Sequence, residues 1–164
     1  MKKKINKSGF MLLAATLLLS RCGLVEYNFN NPFSGITETD SVGNVLNADS
    51  DDWRLISDPS PYSPSATIPE VRPAFPNPAN NNRAVIFLRI RQDVNDIDIH
   101  ILDRQEKQVQ VIQKGFLPAG IYNFQWNLDD DAGNPLDNDI YRCEISFTQN
   151  GYHFTSYGDI KIQR

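Results

Sequence analysis

The chain has 164 residues, 40% of them hydrophobic, and a formal charge of −4, which leaves room for one ordinary domain plus accessory segments. Five of its 16 basic residues (Lys2, Lys3, Lys4, Lys7 and Arg21) precede the first acid, so the chain beyond residue 21 sets 11 bases against 20 acids. That balance excludes nucleic acid as a partner, because phosphate binding needs clustered Lys and Arg.

Residues 1–21 read as an export signal. A lysine-rich start is followed by an apolar run from Phe10 to Leu19. The run has the length of a signal-peptide core and falls short of the roughly 20 residues that span a bilayer. Leu19-Ser20-Arg21-Cys22 resembles the lipobox of bacterial lipoproteins, with Arg21 standing where that family has a small residue. The resemblance implies lipidation of the Cys22 thiol and an anchor in the membranes of the bacterial cell envelope, worth about 0.8 kcal/mol per buried CH₂.

Residues 22–72 are expected to form a flexible tether. The stretch opens with an Asn-rich run around Tyr27–Phe33 and continues through small, polar and acidic residues. Seven of the ten prolines fall between Pro59 and Pro78, where they remove backbone donors and fix φ, so a central strand or helix is excluded there. Val42, Val45, Leu46, Trp53, Leu55 and Ile56 are the residues from which one short ordered element would dock on the domain.

Residues 73–164 change texture. Ala84–Arg91 is rich in Val, Ile, Leu and Phe; Ile97, Ile99 and Ile101 alternate with polar neighbours; Tyr122, Phe124, Trp126 and Leu128 alternate with Asn123, Gln125 and Asn127. Tyr141, Cys143, Ile145 and Phe147 alternate with Arg142, Glu144, Ser146 and Thr148, and a last strand lies near Phe154–Ile162. Short strands with period-two alternation and regular turn signals predict an all-β, antiparallel sandwich of about seven strands. Trp126 and Tyr141 are its expected core anchors, and Cys143, on the apolar face, a buried inert thiol.

Several motifs of this region, taken in order, resemble the immunoglobulin-like domain named after the flagellar hook-capping protein FlgD. They are Ala74-Phe75-Pro76-Asn77-Pro78, Asp103-Arg104-Gln105-Glu106-Lys107-Gln108-Val109, Leu117-Pro118-Ala119-Gly120-Ile121-Tyr122 with Trp126, Asp130-Asp131-Ala132-Gly133-Asn134-Pro135-Leu136, and Asp139-Ile140-Tyr141. Glu106 stands at or beside the position of that family's turn glycine. The resemblance implies a structural or interaction module with no catalytic residues. A neighbouring family, the C-terminal sorting domains of type IX secretion, also opens on Pro-Asn-Pro and ends in a basic strand, as Ile160-Lys161-Ile162-Gln163-Arg164 does.

The acidic segment Asp129, Asp130, Asp131, Asn134, Asp137 and Asp139 is the candidate interaction loop. Its carboxylates would also suit calcium. It does not follow the EF-hand spacing, and Asp, Gly, Asn and Pro together are what a long hairpin turn requires. His100 and His153 have no partner at metal-ligand or catalytic spacing and read as surface residues. No hydrolase, zinc-protease or nucleotide-binding signature is present. The sequence therefore assigns no catalytic residue, metal ligand or cofactor. It points to a non-enzymatic envelope lipoprotein that contacts another envelope protein through the Asp129–Asp139 loop or the Tyr152–Tyr157 edge. A secretion address and a calcium- or glycan-binding module are the alternatives.

Overall fold

In the computed structural model the described residues are 33, 35–58, 68–80 and 82–164. The export signal and Cys22 lie outside them. Ten strands and no helix occur among the described residues: β1 (Glu38–Thr39), β2 (Val45–Asn47), β3 (Ile56–Asp58), β4 (Glu70–Phe75), β5 (Ala84–Ile90), β6 (Val94–Leu102), β7 (Gln108–Leu117), β8 (Gly120–Trp126), β9 (Ile140–Gln149) and β10 (Tyr152–Lys161). Every strand pairing is antiparallel.

From β4 to β10 the chain crosses three times between two sheets. β4, β5 and β8 form one, in the order β4-β5-β8, while β6, β7, β9 and β10 form the other, extended by β3 into β3-β10-β9-β6-β7. Seven strands, β4 to β10, thus divide as an immunoglobulin-type sandwich divides. The core lies between the sheets because period-two alternation sends one face of each strand inward. Ile86 and Leu88 of β5, Ile97, Ile99 and Ile101 of β6, and Cys143 and Phe147 of β9 are fully buried. Trp126 is 1% exposed and meets Tyr141 edge-on, ring centroids 5.8 Å apart. Burial also holds the Cys143 thiol well above its ordinary pKa, so it stays protonated and unreactive.

The expected tether is folded over much of its length, and this corrects the boundary drawn at residue 72. Residues 35–58 form a strap that packs on the sandwich through two partnerships. Thr39 exchanges backbone hydrogen bonds with Asn77, at 2.8 and 3.3 Å, and β3 pairs Ile56, Ser57 and Asp58 with Thr155, Phe154 and His153 of β10. Of the apolar residues expected to dock, Trp53 is buried, whereas Val42, Val45 and Leu46 project from the β1–β2 hairpin at 74%, 51% and 69% exposure. The strap also buries Arg142, although it alternates with the apolar residues of β9. Arg142 is only 3% exposed and pairs with Asp159, its direct cross-strand neighbour, at 2.8 Å. Its guanidinium lies 4.4 Å from the Tyr157 ring centroid and 4.5 Å from that of Phe33.

The Pro-Asn-Pro element is the joint between strap and sandwich. Both of its proline peptide bonds, Phe75-Pro76 and Asn77-Pro78, are cis. Asn77 between them is fully buried. Its Nδ2 donates to the carbonyls of Thr37 and Asp159, and its Oδ1 accepts from the Lys161 amide, all within 2.9 Å. One short side chain therefore satisfies strap, joint and last strand together, as a buried polar group must be satisfied.

Candidate functional site: a hydrogen-bonded acidic loop

The loop between β8 and β9 contains all six residues of the expected interaction surface. Asp131, Asn134, Asp137 and Asp139 are exposed, while Asp129 and Asp130 are half-buried. Two core aromatics hold its backbone. The Trp126 indole Nε1 donates to the Asp129 carbonyl at 3.1 Å, and the Tyr141 hydroxyl donates to the Asp137 carbonyl at 3.2 Å. The second contact is the tyrosine corner of immunoglobulin folds, with the tyrosine early in its strand, two residues before a cysteine, and bonded to backbone just upstream. The two residues singled out as core anchors therefore also fix both ends of the loop.

Within the loop three carboxylates, those of Asp130, Asp131 and Asp139, have a structural task. The Asp130 carboxylate accepts from the amides of Ala132 and Asn134, at 2.9 and 2.8 Å, and from the Asn134 side chain. Chiefly the Asn134 side-chain and backbone donors hold its pKa below the usual carboxylate range. Asp131 bridges the loop to the edge of β7: its amide donates to the Val109 carbonyl and its carboxylate accepts from the Val111 amide, both at 2.9 Å. Asp139 accepts from Arg104 at 2.7 Å and from the Ile140 amide at 2.8 Å.

Arg164 closes the other side. Its guanidinium donates to the carbonyls of Leu128 and Leu136 and to the Asn82 side chain. An open cleft of about 520 Å³ lies beside it, lined by Asn82, Asn127, Asp129, Pro135 and Arg164. Among the described residues no three His, Cys, Asp or Glu side chains converge as metal ligands would. The carboxylate oxygens of Asp130, Asp131 and Asp139 are acceptors that shape the turn.

Among the described residues the same turn occurs three times. Asp40–Asn44, Asp103–Lys107 and Asp130–Asn134 each close with a hydrogen bond from the first amide to the fifth carbonyl, at 2.9–3.0 Å. In each, the leading carboxylate accepts from the third and fifth amides. The fourth residue is left-handed in all three: Gly43 at φ 90°, Glu106 at 59° and Gly133 at 78°. Sequence reasoning took the later two as turns and missed the first, although Asp40, Gly43 and Asn44 repeat the spacing of Asp130, Gly133 and Asn134. It also missed Asp52, whose carboxylate accepts from the amides of Thr37 and Asp159 at 2.8 and 3.0 Å.

The second expected surface, the Tyr152–Tyr157 edge, is not open. β3 covers His153–Thr155, and the Trp53 amide donates to the Tyr157 carbonyl at 2.6 Å. The edge strands of the two sandwich sheets are instead β3, β4, β7 and β8. Phe116 of β7 and Ile121 of β8 are 55% and 60% exposed. His153 is exposed. His100 is held between two carboxylates, with Nδ1 3.0 Å from Asp98 and Nε2 3.4 Å from Glu144. Glu144 first, and Asp98 with it, favour the imidazolium and raise its pKa against the opposing effect of burial.

No protein-family model matches the chain, and no curated protein matches it. Among solved structures the chain is similar to FlgD from P. aeruginosa, at 22% identity with a TM-score of 0.36, over 46% of this chain and 59% of that one. The aligned part thus spans less than two thirds of that protein's length.

Proposed function

We propose that the chain is a non-enzymatic, exported lipoprotein of the bacterial envelope, anchored through acyl chains on Cys22, whose FlgD-like immunoglobulin-like domain contacts another envelope protein through the Asp129–Asp139 loop. The observation that carries this reading is the organisation of the loop. Asp137, Asp139 and Asn134 are exposed, yet the backbone that bears them is fixed at Asp129 and Asp137 by core aromatics and at Leu128 and Leu136 by Arg164. A surface ordered before it meets a partner loses less conformational entropy on binding. The lysine-rich start and the apolar run before Cys22 support export. The ordered motifs from Ala74 to Tyr141 support the FlgD kinship.

Pull-down from native membranes tests the loop. Asp137→Lys and Ala132→Lys change exposed side chains that make no hydrogen bond in the loop, so the turn should survive while capture of the partner falls. Equal capture by both variants and the unaltered chain would reject the loop as the contact. Mass spectrometry of the membrane fraction tests the anchor, and a mature chain that does not begin at an acylated Cys22 would reject it.

A further inference from the structure

The outer face of the β4-β5-β8 sheet concentrates positive charge on an acidic chain. Along β5, Ala84, Ile86, Leu88 and Ile90 point into the core, so Phe87 and Arg89 point outward. Register sets Arg72 opposite Phe87, Glu70 opposite Arg89, and Ile121 opposite Arg89 on its other side. The Arg72 guanidinium lies over the Phe87 ring, 4.4 Å from its centroid, with Arg89 at 6.0 Å. Glu70 joins the two, with Oε1 2.6 Å from Arg72 Nε and Oε2 2.8 Å from Arg89 Nη1. Arg91 stands close enough to help Arg72 and Arg89 hold the Glu70 carboxyl below its usual range.

We infer that this face is a docking surface for an acidic, extended polypeptide segment, whose carboxylates take the forks of Arg72 and Arg89 while its backbone lies along the open edge of β8. Three features select that partner. The cations are all arginines, whose planar donors match carboxylates two bonds at a time. Glu70 uses one N–H of each guanidinium, and each has four more, so donor capacity remains. Among the described residues β8 is paired only to β5, and an unpaired strand edge offers main-chain hydrogen bonds that a polypeptide can use and a lipid headgroup cannot. Glu70 is then an internal competitor that occupies the forks until a partner carboxylate replaces it. The surface is independent of the Asp129–Asp139 loop and of the anchor.

Binding of a fluorescent oligoglutamate peptide to the full chain in detergent micelles, at low ionic strength, tests the inference. Arg72→Gln with Arg89→Gln should weaken binding roughly tenfold. The Lys pair at the same positions, which keeps the charge and loses the forks, should also bind more weakly than the unaltered chain. Glu70→Gln should tighten binding about two- to fivefold by removing the competitor, while Glu106→Gln, the same charge change elsewhere, should not. Full binding by the Lys pair, or equal tightening by Glu70→Gln and Glu106→Gln, would reduce the face to bulk charge and overturn the inference. So would adsorption to phosphatidylglycerol-rich vesicles that the Arg→Gln pair abolishes, without peptide binding.

Discussion

The Trp53 indole lies where any residue larger than glycine at position 158 would place its side chain. A β-carbon built on Gly158 comes within 2.0 Å of the ring. Trp53 itself holds a left-handed φ of 57°, a conformation that costs a non-glycine residue about 1–2 kcal/mol. Its indole N–H is buried without a partner among the described residues. Burial of the ring at 6% exposure offsets these costs, since a large side chain contributes about 1.5–3 kcal/mol. The notch at Gly158 is therefore the apolar contact that joins the polar ones in holding the strap on the sandwich.

Gly158→Ala should drive the indole out. Gly158 does not lie in the left-handed region, so alanine suits its backbone and the effect isolates the steric clash. Overpacking of this kind costs about 1–3 kcal/mol. A lower urea midpoint and a shifted Trp53 indole NMR signal are expected, and an unchanged signal would contradict the packing.

Much of the sandwich was legible because period-two burial is written residue by residue. Ile97, Ile99, Ile101, Cys143, Ile145 and Phe147 all face inward as their alternation required. The strap was not legible for an equally specific reason. Its stability resides in long-range polar contacts, Thr37 with Asp52 and Asn77, and Asp52 with Asp159, which leave no periodic trace in a proline- and aspartate-rich segment. The burial of Arg142 was not legible for the same reason, because the strap and Asp159 are what make it tolerable. The loop Asp129–Asp139 was legible as turn chemistry, but the bonds from Trp126 and Tyr141 that fix it come from the tertiary fold.

Asn77→Ala should loosen the joint without altering either proline. It leaves the Thr37 and Asp159 carbonyls and the Lys161 amide without their common partner. A buried group left unsatisfied costs about 1–3 kcal/mol, and three share this one. The expected result is a loss of at least about 2 kcal/mol in urea unfolding, with faster amide hydrogen exchange at Thr39 and Lys161.

Glu106→Gly should stabilise the domain. The equivalent positions of the other two turns are Gly43 and Gly133, and Glu106 alone holds the left-handed φ with a side chain. Relief of about 1–2 kcal/mol of strain is partly cancelled by the greater freedom of glycine in the unfolded chain, about 0.5–1 kcal/mol. A gain of up to about 1.5 kcal/mol, read as a higher thermal midpoint, should follow. A fall in the midpoint would show that the Glu106 side chain contributes more than the strain it imposes.

Asp52 should make the strap weaken as pH rises. Burial, reinforced by the negative charges of Asp159 and Asp49, raises its pKa to about 7 against the hydrogen bonds from Thr37 and Asp159. In the unfolded chain the carboxyl loses its proton near the ordinary 3.8, so across the interval between these values the folded state binds the extra proton. Its stabilising contribution is then fully present below the lower value, declines as pH climbs towards about 7, and is gone above it. Asp52→Asn cannot ionise and lacks this dependence. Urea midpoints of the two proteins, measured from acid to slightly alkaline pH, should show the unaltered chain losing ground to the variant until about pH 7 and holding a constant difference beyond. Other carboxylates titrate alike in both, so a difference that stays level throughout would mean that Asp52 is already ionised in the folded strap.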